Sequence, residues 1–340
     1  MDYWKKHSIE DQRALLQQTA DQEGINQVAV EKDWWVTITL KALFQTSCAS
    51  HLLFKGGTSL SKGWNLIQRF SEDIDMAINY SFFGPEPMNN NQLKTLRKKA
   101  RKYIHDTVRN ELDKRLADMG ITGYEIENIT KNGTAEISSD SDPTVIHVNY
   151  TSVITDTIAY IPPRVKIEIS CLSMAEPSKM INISSLIFNH YPAEDSEAVC
   201  DINTVLPSRT FLEKIFLLNE EFQKENPRHL RMSRHLYDLE KLMDTDFGKE
   251  ALEDPKLYEQ IVKHRAKYYH LGYVDYQKHH PASVSILPPE GTQQKWREDY
   301  EQMKMNFIYG EAISFDELKT RIGLLMKRIA ALKTQDNLLS

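Results

Sequence analysis

The chain has 340 residues and a mass of 39.4 kDa, room for two modest domains or one large domain with a helical annex. Its 41% hydrophobic and 26% charged residues are those of an ordinary globular protein and exclude a disordered chain, and the net charge of −6 excludes a uniformly basic nucleic-acid coat. Cys48, Cys171 and Cys200 are too few and too scattered for a disulfide framework or a zinc site, no signal-peptide core opens the chain and no apolar run reaches membrane-spanning length, so the expected setting is cytoplasmic, without a membrane.

Residues 8–22 and 30–45 read as helices. Ser8 caps the first and Gly24 stops it, and the second carries an apolar stripe through Val28, Trp35, Ile38, Leu40 and Leu43 that is set to pack on a core. A first strand is expected at 51–55, a helix at 57–68 and a second strand at 73–79, followed by a loop marked by Pro85 and Pro87. Residues 91–119 form a long polar helix, with nine Lys or Arg against three Asp or Glu between Lys94 and Arg115. It serves either as a solvated face or as a contact for RNA backbone, since clustered cations release counterions from phosphate. Short strands follow at 124–130, 134–138, 145–154 and 164–170, with a turn at Asp140, Asp142 and Pro143. After Pro177 the pattern turns helical, at 208–224, 233–244, 255–271 and 314–333, which sets a domain boundary near 180: residues 1–180, then 181–340.

The chemistry centres on residues 54–78. Gly56 and Gly57 follow a short apolar run and precede the hydroxyls of Thr58, Ser59 and Ser61; glycines admit close approach of a ligand, and the N–H groups opening a helix attract anions. Asp73 and Asp75 stand two apart on the apolar run Ile74-Asp75-Met76-Ala77-Ile78, so on a strand both carboxylates face one side. Unpaired charges on an apolar strand are costly, and a metal supplies the compensation. A phosphate cradle beside paired carboxylates suits a nucleoside triphosphate (NTP) held by magnesium. Ser71, two before Asp73, shares that face, and Lys55 and Arg69 flank it as cations for phosphate.

The motifs Lys55-Gly-Gly-Thr-Ser-Leu and Arg69-Phe-Ser-Glu-Asp-Ile-Asp resemble the core of the AbiEii/AbiGii-type nucleotidyltransferase toxins, over roughly residues 30–245. The resemblance implies an α+β fold: a polymerase-beta-like core, with a small mixed sheet flanked by helices, and a C-terminal helical domain. It implies two Mg2+ ions, an NTP donor and a nucleotide-binding set of Gly56, Gly57, Thr58, Ser59, Arg69, Ser71 and Lys214. Two-metal nucleotidyl transfer commonly uses three carboxylates. Asp73 and Asp75 supply two, and Glu168, between Ile167 and Ile169, is the best match for the third; the alternative is an edge strand with Lys166 and Glu168 in water. By resemblance Lys214, in an otherwise apolar helix, reaches the nucleotide's phosphates, unless it only snorkels at the core's rim. Arg209 is a weaker candidate for the same anion. Asp238 orients Lys214 or a metal-bound water, or else pairs with Arg234 one turn earlier, and His235 reads as structural.

The family context implies a toxin of a bacterial toxin–antitoxin or phage-defence system with a cognate antitoxin. The activity expected is Mg-dependent transfer of a nucleoside monophosphate from an NTP to an RNA end, with tRNA as one candidate acceptor. The competing readings are transfer to a protein or small-molecule hydroxyl, and a non-catalytic module that binds nucleotide or RNA. A run of bases and aromatics from His264 to Tyr276 is a second candidate RNA surface, by stacking, against the alternative of a packed core.

Overall fold

The computed structural model describes residues 3–155, 161–173 and 177–333, and the chain divides into two compact units. The first holds residues up to Gly63 and Phe70–Thr204; the second holds Trp64–Arg69 and everything from Val205 on.

In the first unit, α1 (Ile9–Glu23) begins at Ser8, whose hydroxyl accepts from the Asp11 amide, and ends at Gly24 with φ 67°. The Asn26 side chain caps α2 (Gln27–Leu43), which is buried along nearly all its length. Then come β1 (Leu52–Lys55), a single turn α3 (Gly56–Thr58) that runs into a π-helical turn (Ser59–Gly63), and β2 (Asp73–Asn79). The expected helix at 57–68 therefore stops at Gly63: Asn65 takes φ 51°, and Trp64–Arg69 belong to the second unit. The basic helix is α4 (Asn90–Tyr103) and α5 (Arg109–Asp118), continuous through a π turn at Ile104–Val108.

The strands β3 (Tyr124–Asn128), β6 (Thr144–Tyr150), β7 (Arg164–Ser173), β8 (Ser178–Ser184) and β9 (Val199–Val205) join β1 and β2 in one seven-stranded mixed sheet, ordered β3-β6-β7-β2-β1-β9-β8. A separate ribbon pairs β4 (Lys131–Asn132) with β5 (Ala135–Glu136), and a short helix α6 (Leu186–His190) links β8 to β9. β2 runs parallel to β7 and antiparallel to β1; β6 is antiparallel to both its neighbours. Burial alternates with period two along β6 and through the first half of β2, so Ile74, Met76, Ile146, Val148, Ile167 and Ile169 form the buried face. α2 contacts β2 and β7, while α4 contacts β7 and α5 contacts β3.

Two of these strands correct the helical reading after Pro177. β8 and β9 extend the sheet past residue 180, and the two units divide not there but at Thr204/Val205, the last step of β9. Behind the sheet, Trp34 meets Trp4 and Trp35 edge-on at 5.6 and 5.2 Å, and Trp35 stacks on Tyr150 at 4.9 Å. Asp195 closes this aromatic cluster, accepting from the Trp34 indole at 3.0 Å and the Ser185 hydroxyl at 2.5 Å.

The second unit contains the helices α7 (Pro207–Glu221), α8 (Ser233–Leu242), α9 (Asp246–Glu253), α10 (Pro255–His264), α11 (Gln293–Asn306) and α12 (Phe315–Ala330). Pro207 at the first turn starts α7, where its missing N–H costs nothing. A reciprocal Ser314–Glu317 capping box starts α12. α8 lies against α7, α11 and α12. The hexapeptide Trp64–Arg69 is held here by a bridge from Arg69 to Ile308 and by the Tyr309 amide, which donates to the Gln68 carbonyl at 3.1 Å.

Candidate active site

The first unit places the glycine turn and both aspartates side by side. Gly56 has φ +81°, and a Cβ built there falls 2.0 Å from Asp75 Oδ2. Only glycine fits both that backbone and that contact. What the first glycine admits is thus the carboxylate of the neighbouring strand. Lys55 is in register with Asp75 across β1 and β2. The Thr58 hydroxyl donates to Ser71 Oγ at 2.9 Å or to the Asp73 carbonyl at 2.5 Å, tying the turn to the start of β2. Ser59 is wholly buried and donates to the Gly56 carbonyl at 2.9 Å, and the Ser61 hydroxyl is turned toward the Thr58 carbonyl, so both side chains serve the turn itself. Gly57 is the second residue of that turn and is half-buried.

Asp73 and Asp75 are half-buried on one face of β2, separated by the fully buried Ile74. Their partners on β7 are Lys166 and Glu168. Residues in register on adjacent strands point to the same face, about 4.8 Å apart. Glu168 therefore stands beside Asp75. β7 is an interior strand, with β6 on its other side, which overturns the edge-strand alternative. Glu168 also has a partner in its own strand, Lys166 Nζ at 2.6 Å.

Among the described residues no three His, Cys, Asp or Glu side chains cluster closely enough to hold a metal by themselves. The donors at the Asp pair are nonetheless hard oxygens only. Two carboxylates completed by substrate oxygens is how Mg2+ is ordinarily bound, so the residues fit such an ion together with a triphosphate.

One ion pair here is absent from the sequence reading. Lys32 on α2 bonds Glu72 at 2.5 Å, both nearly fully buried, and donates to the Pro162 carbonyl. It anchors the residue before Asp73. The only hint in the sequence was a third acid next to the aspartates.

The second unit contains another constellation. Asp238 on α8 has no exposed surface; Arg69 grips it through two bonds of 2.7 and 2.8 Å, and Lys214 on α7 reaches Oδ2 at 2.8 Å. Burial alone pushes the Asp238 pKa up, but Arg69 and Lys214 more than offset it and hold the carboxyl well below its usual range. Burial lowers the Lys214 pKa against the opposing pull of Asp238. His235, buried one turn before Asp238, is pushed well below its ordinary value by burial and by Lys214 and Arg234, and so is neutral.

Of the two sequence readings of Asp238, the pairing with Lys214 is present, and Arg69 joins it. Arg69, expected at the nucleotide, is instead 5% exposed and engaged with Asp238, because a guanidinium buried in the helical unit needs a carboxylate. Arg209 is buried and reaches Glu213 one turn on at 2.9 Å.

A family model for the nucleotidyl transferase AbiEii toxin of type IV toxin–antitoxin systems matches residues 38–321. The chain belongs to the AbiEii family. It is a nucleotidyltransferase toxin of the type IV class, and membership brings an NTP substrate and an antitoxin partner with it. Among solved structures, the chain is similar to MenT4, a nucleotidyltransferase toxin from Mycobacterium tuberculosis H37Rv. The TM-score is 0.55 and the identity 17%, over 94% of this chain and 90% of that one, a likeness of fold. No curated protein matches the sequence significantly.

The two surfaces marked for RNA fare differently in this AbiEii toxin. The run from His264 to Tyr276 is mixed: His264, Arg265, Tyr268 and Tyr276 are buried, with Arg265 clamped on Glu220 through two bonds of 2.7 and 2.5 Å, whereas Lys267, His270 and Tyr273 are exposed. Tyr268 and Tyr276 pack inward, Tyr269 is half-buried and Tyr273 faces outward. On the basic helix, Arg101 is buried on the Ile129 carbonyl, Arg109 and Arg115 reach the Ile126 and Gln45 carbonyls, and Lys99 bonds the Phe83 carbonyl. Lys94, Lys98 and Lys114 are exposed. Among the described residues no helix is long and apolar enough to cross a membrane.

Proposed function

We propose that this toxin transfers a nucleoside monophosphate from an NTP to the 3′ end of an RNA, tRNA being the candidate acceptor, with Mg2+ held by Asp73, Asp75 and Glu168. The observation that carries it is the register of β2 and β7, with three carboxylates on one sheet face beside the Gly56 turn. When bound, the metal supplies charge neutralisation at the triphosphate and at the attacking oxygen. The protein's own part is placement. Gly56 leaves room for Asp75, Thr58 fixes the start of β2, and the Lys32–Glu72 pair anchors it from behind.

In the transfer itself the acceptor hydroxyl oxygen bonds the α-phosphorus while the bond to the β-phosphate oxygen breaks. Pyrophosphate leaves with that electron pair, and the hydroxyl proton passes to water. Gly57 and Ser71 are proposed for the phosphates, Gly57 through its backbone N–H and Ser71 through its hydroxyl, whereas the Ser59 N–H is spent on the Gly56 carbonyl. Lys214 keeps the role that the family resemblance gives it, a phosphate lysine, and is held by Asp238. Exposed Lys94 and Lys98 support an RNA acceptor, with charge for its backbone.

The test incubates the protein with Mg2+, each α-labelled NTP in turn and total cellular RNA. Label at RNA 3′ ends, abolished by EDTA, is the expected result. Label on protein alone moves the acceptor to a protein hydroxyl, and no label at all overturns the reading.

A further inference from the structure

The open sheet face does not stop at the aspartates. Across β7 and β6 it carries Arg164, Lys166, His147 and Asn149, in register with one another and with Asp73: Asp73 pairs with Lys166, Lys166 with His147, and Arg164 with Asn149. Arg164 is exposed and the other three are half-buried, while their neighbours in sequence, Val165, Ile167, Ile146 and Val148, fill the buried face. Polar side chains on successive alternate positions of two interior strands make a platform two strands, roughly 10 Å, wide. Glu125 and Glu127 on β3 close its far side in the same register.

This inference rests on the reading above and adds direction to it. In nucleotidyl transfer the attacking and leaving oxygens lie roughly in line through the phosphorus. The glycine turn, proposed for the leaving pyrophosphate, follows β1, on one flank of β2. The attacking hydroxyl must then arrive from the other flank, which is β7 and β6. We propose that this strip is the acceptor subsite, with Arg164 and Lys166 on the last phosphodiester of the RNA and His147 on its terminal ribose.

The chemistry suits each part. An exposed guanidinium binds phosphate in a fork, and the Lys166 ammonium keeps donors to spare beyond the one on Glu168. His147, held down to about 4 by burial and then by Arg164, is a neutral imidazole at neutral pH, suited to a hydroxyl rather than a phosphate. The acidic edge at Glu125 and Glu127 repels further phosphates, so the strip accommodates one terminal nucleotide.

Arg164→Ala and His147→Gln test this. Lys166 is left intact because its loss also frees Glu168. Two readouts are needed: steady-state kinetics in both substrates, and equilibrium binding of 5′-labelled total tRNA in EDTA without NTP. Arg164→Ala is expected to raise the acceptor KM and flatten the salt dependence of tRNA binding by roughly one unit of log–log slope. His147→Gln is expected to raise the acceptor KM about 5-fold, the worth of one hydrogen bond. Neither changes the KM for NTP. Wild-type acceptor KM and tRNA binding in both variants overturn the subsite, as does a parallel rise in the KM for NTP. A wild-type protein that labels no RNA removes the parent reading and this one together, whereas a labelling wild type with indifferent variants removes the subsite alone.

Discussion

Asp75 and Asp238 are both carboxylates in a row of apolar neighbours, one half-buried on a strand and the other wholly buried on a helix between two cations. Asp75 lies against a glycine that makes room for it, on a face lined by further polar side chains. Asp238 has every side closed, by Arg69 and Lys214. A charge left accessible on a rigid strand can bind an ion and a substrate. A charge compensated in full holds other groups in place.

The largest effect that breaks this comparison is at Asp238. Asp238→Ala leaves two buried cations without their carboxylate and is expected to cost about 3–5 kcal/mol of stability, read from denaturant midpoints. Because the folded carboxyl titrates below its unfolded value of about 3.9, its contribution is full above that pH and is lost as pH falls through the folded pKa. The gap between variant and wild type therefore closes as pH falls through the acid range, while on the alkaline side the variant's Lys214, without the pull of Asp238, sheds its proton more readily than the wild type's. A gap that stays open in acid contradicts the pairing.

Asp75→Ala sharpens the other half. It is expected to lower transfer at least ~100-fold, as losing an electrostatic group does, with an unchanged or higher Tm because like charges on β2 are relieved. A variant that keeps its activity ends the metal-carboxylate reading. Gly56→Ala falls between the two classes. The positive φ costs about 1–2 kcal/mol, and the added Cβ displaces the Asp75 carboxylate. Transfer is expected to drop well beyond what the loss of folded protein explains; proportional losses of both mean that the contact is only structural.

The smallest effect is a third kind of acid. Burial raises the Asp195 pKa to about 6, against the bonds from Ser185, Trp34 and Trp4 that favour its charge. Its contribution to stability is therefore greatest below about pH 3.9 and declines as pH rises toward 6. Asp195→Asn is expected to flatten the denaturation midpoint over that window, and parallel profiles for the two proteins contradict the burial argument.

What could be read from the sequence was local. Strand β2 lies at 73–79 as the alternation implied, Ser8 and Gly24 bound α1, and the basic helix spans one stretch, because each carries its own period or cap. β8 was invisible: along Ser178–Ser184 only Ile183 is fully buried, so no alternation betrays the strand. The Glu168 register could be inferred only because its strand repeats the apolar pattern of β2. Arg69 was misplaced for the opposite reason. It stands four residues before Asp73, and nothing nearby announces a partner 169 positions away.

That separation also sets a clock on synthesis. A ribosome adding about 5–20 residues per second takes on the order of 10–30 s to travel from Arg69 to Asp238, and until then the arginine has no carboxylate to meet. The hexapeptide Trp64–Arg69 must wait while the strands that follow it in sequence are made. A fragment that begins at Val205 is born without it, so the helical unit can be severed from the chain there only by leaving Asp238 half satisfied.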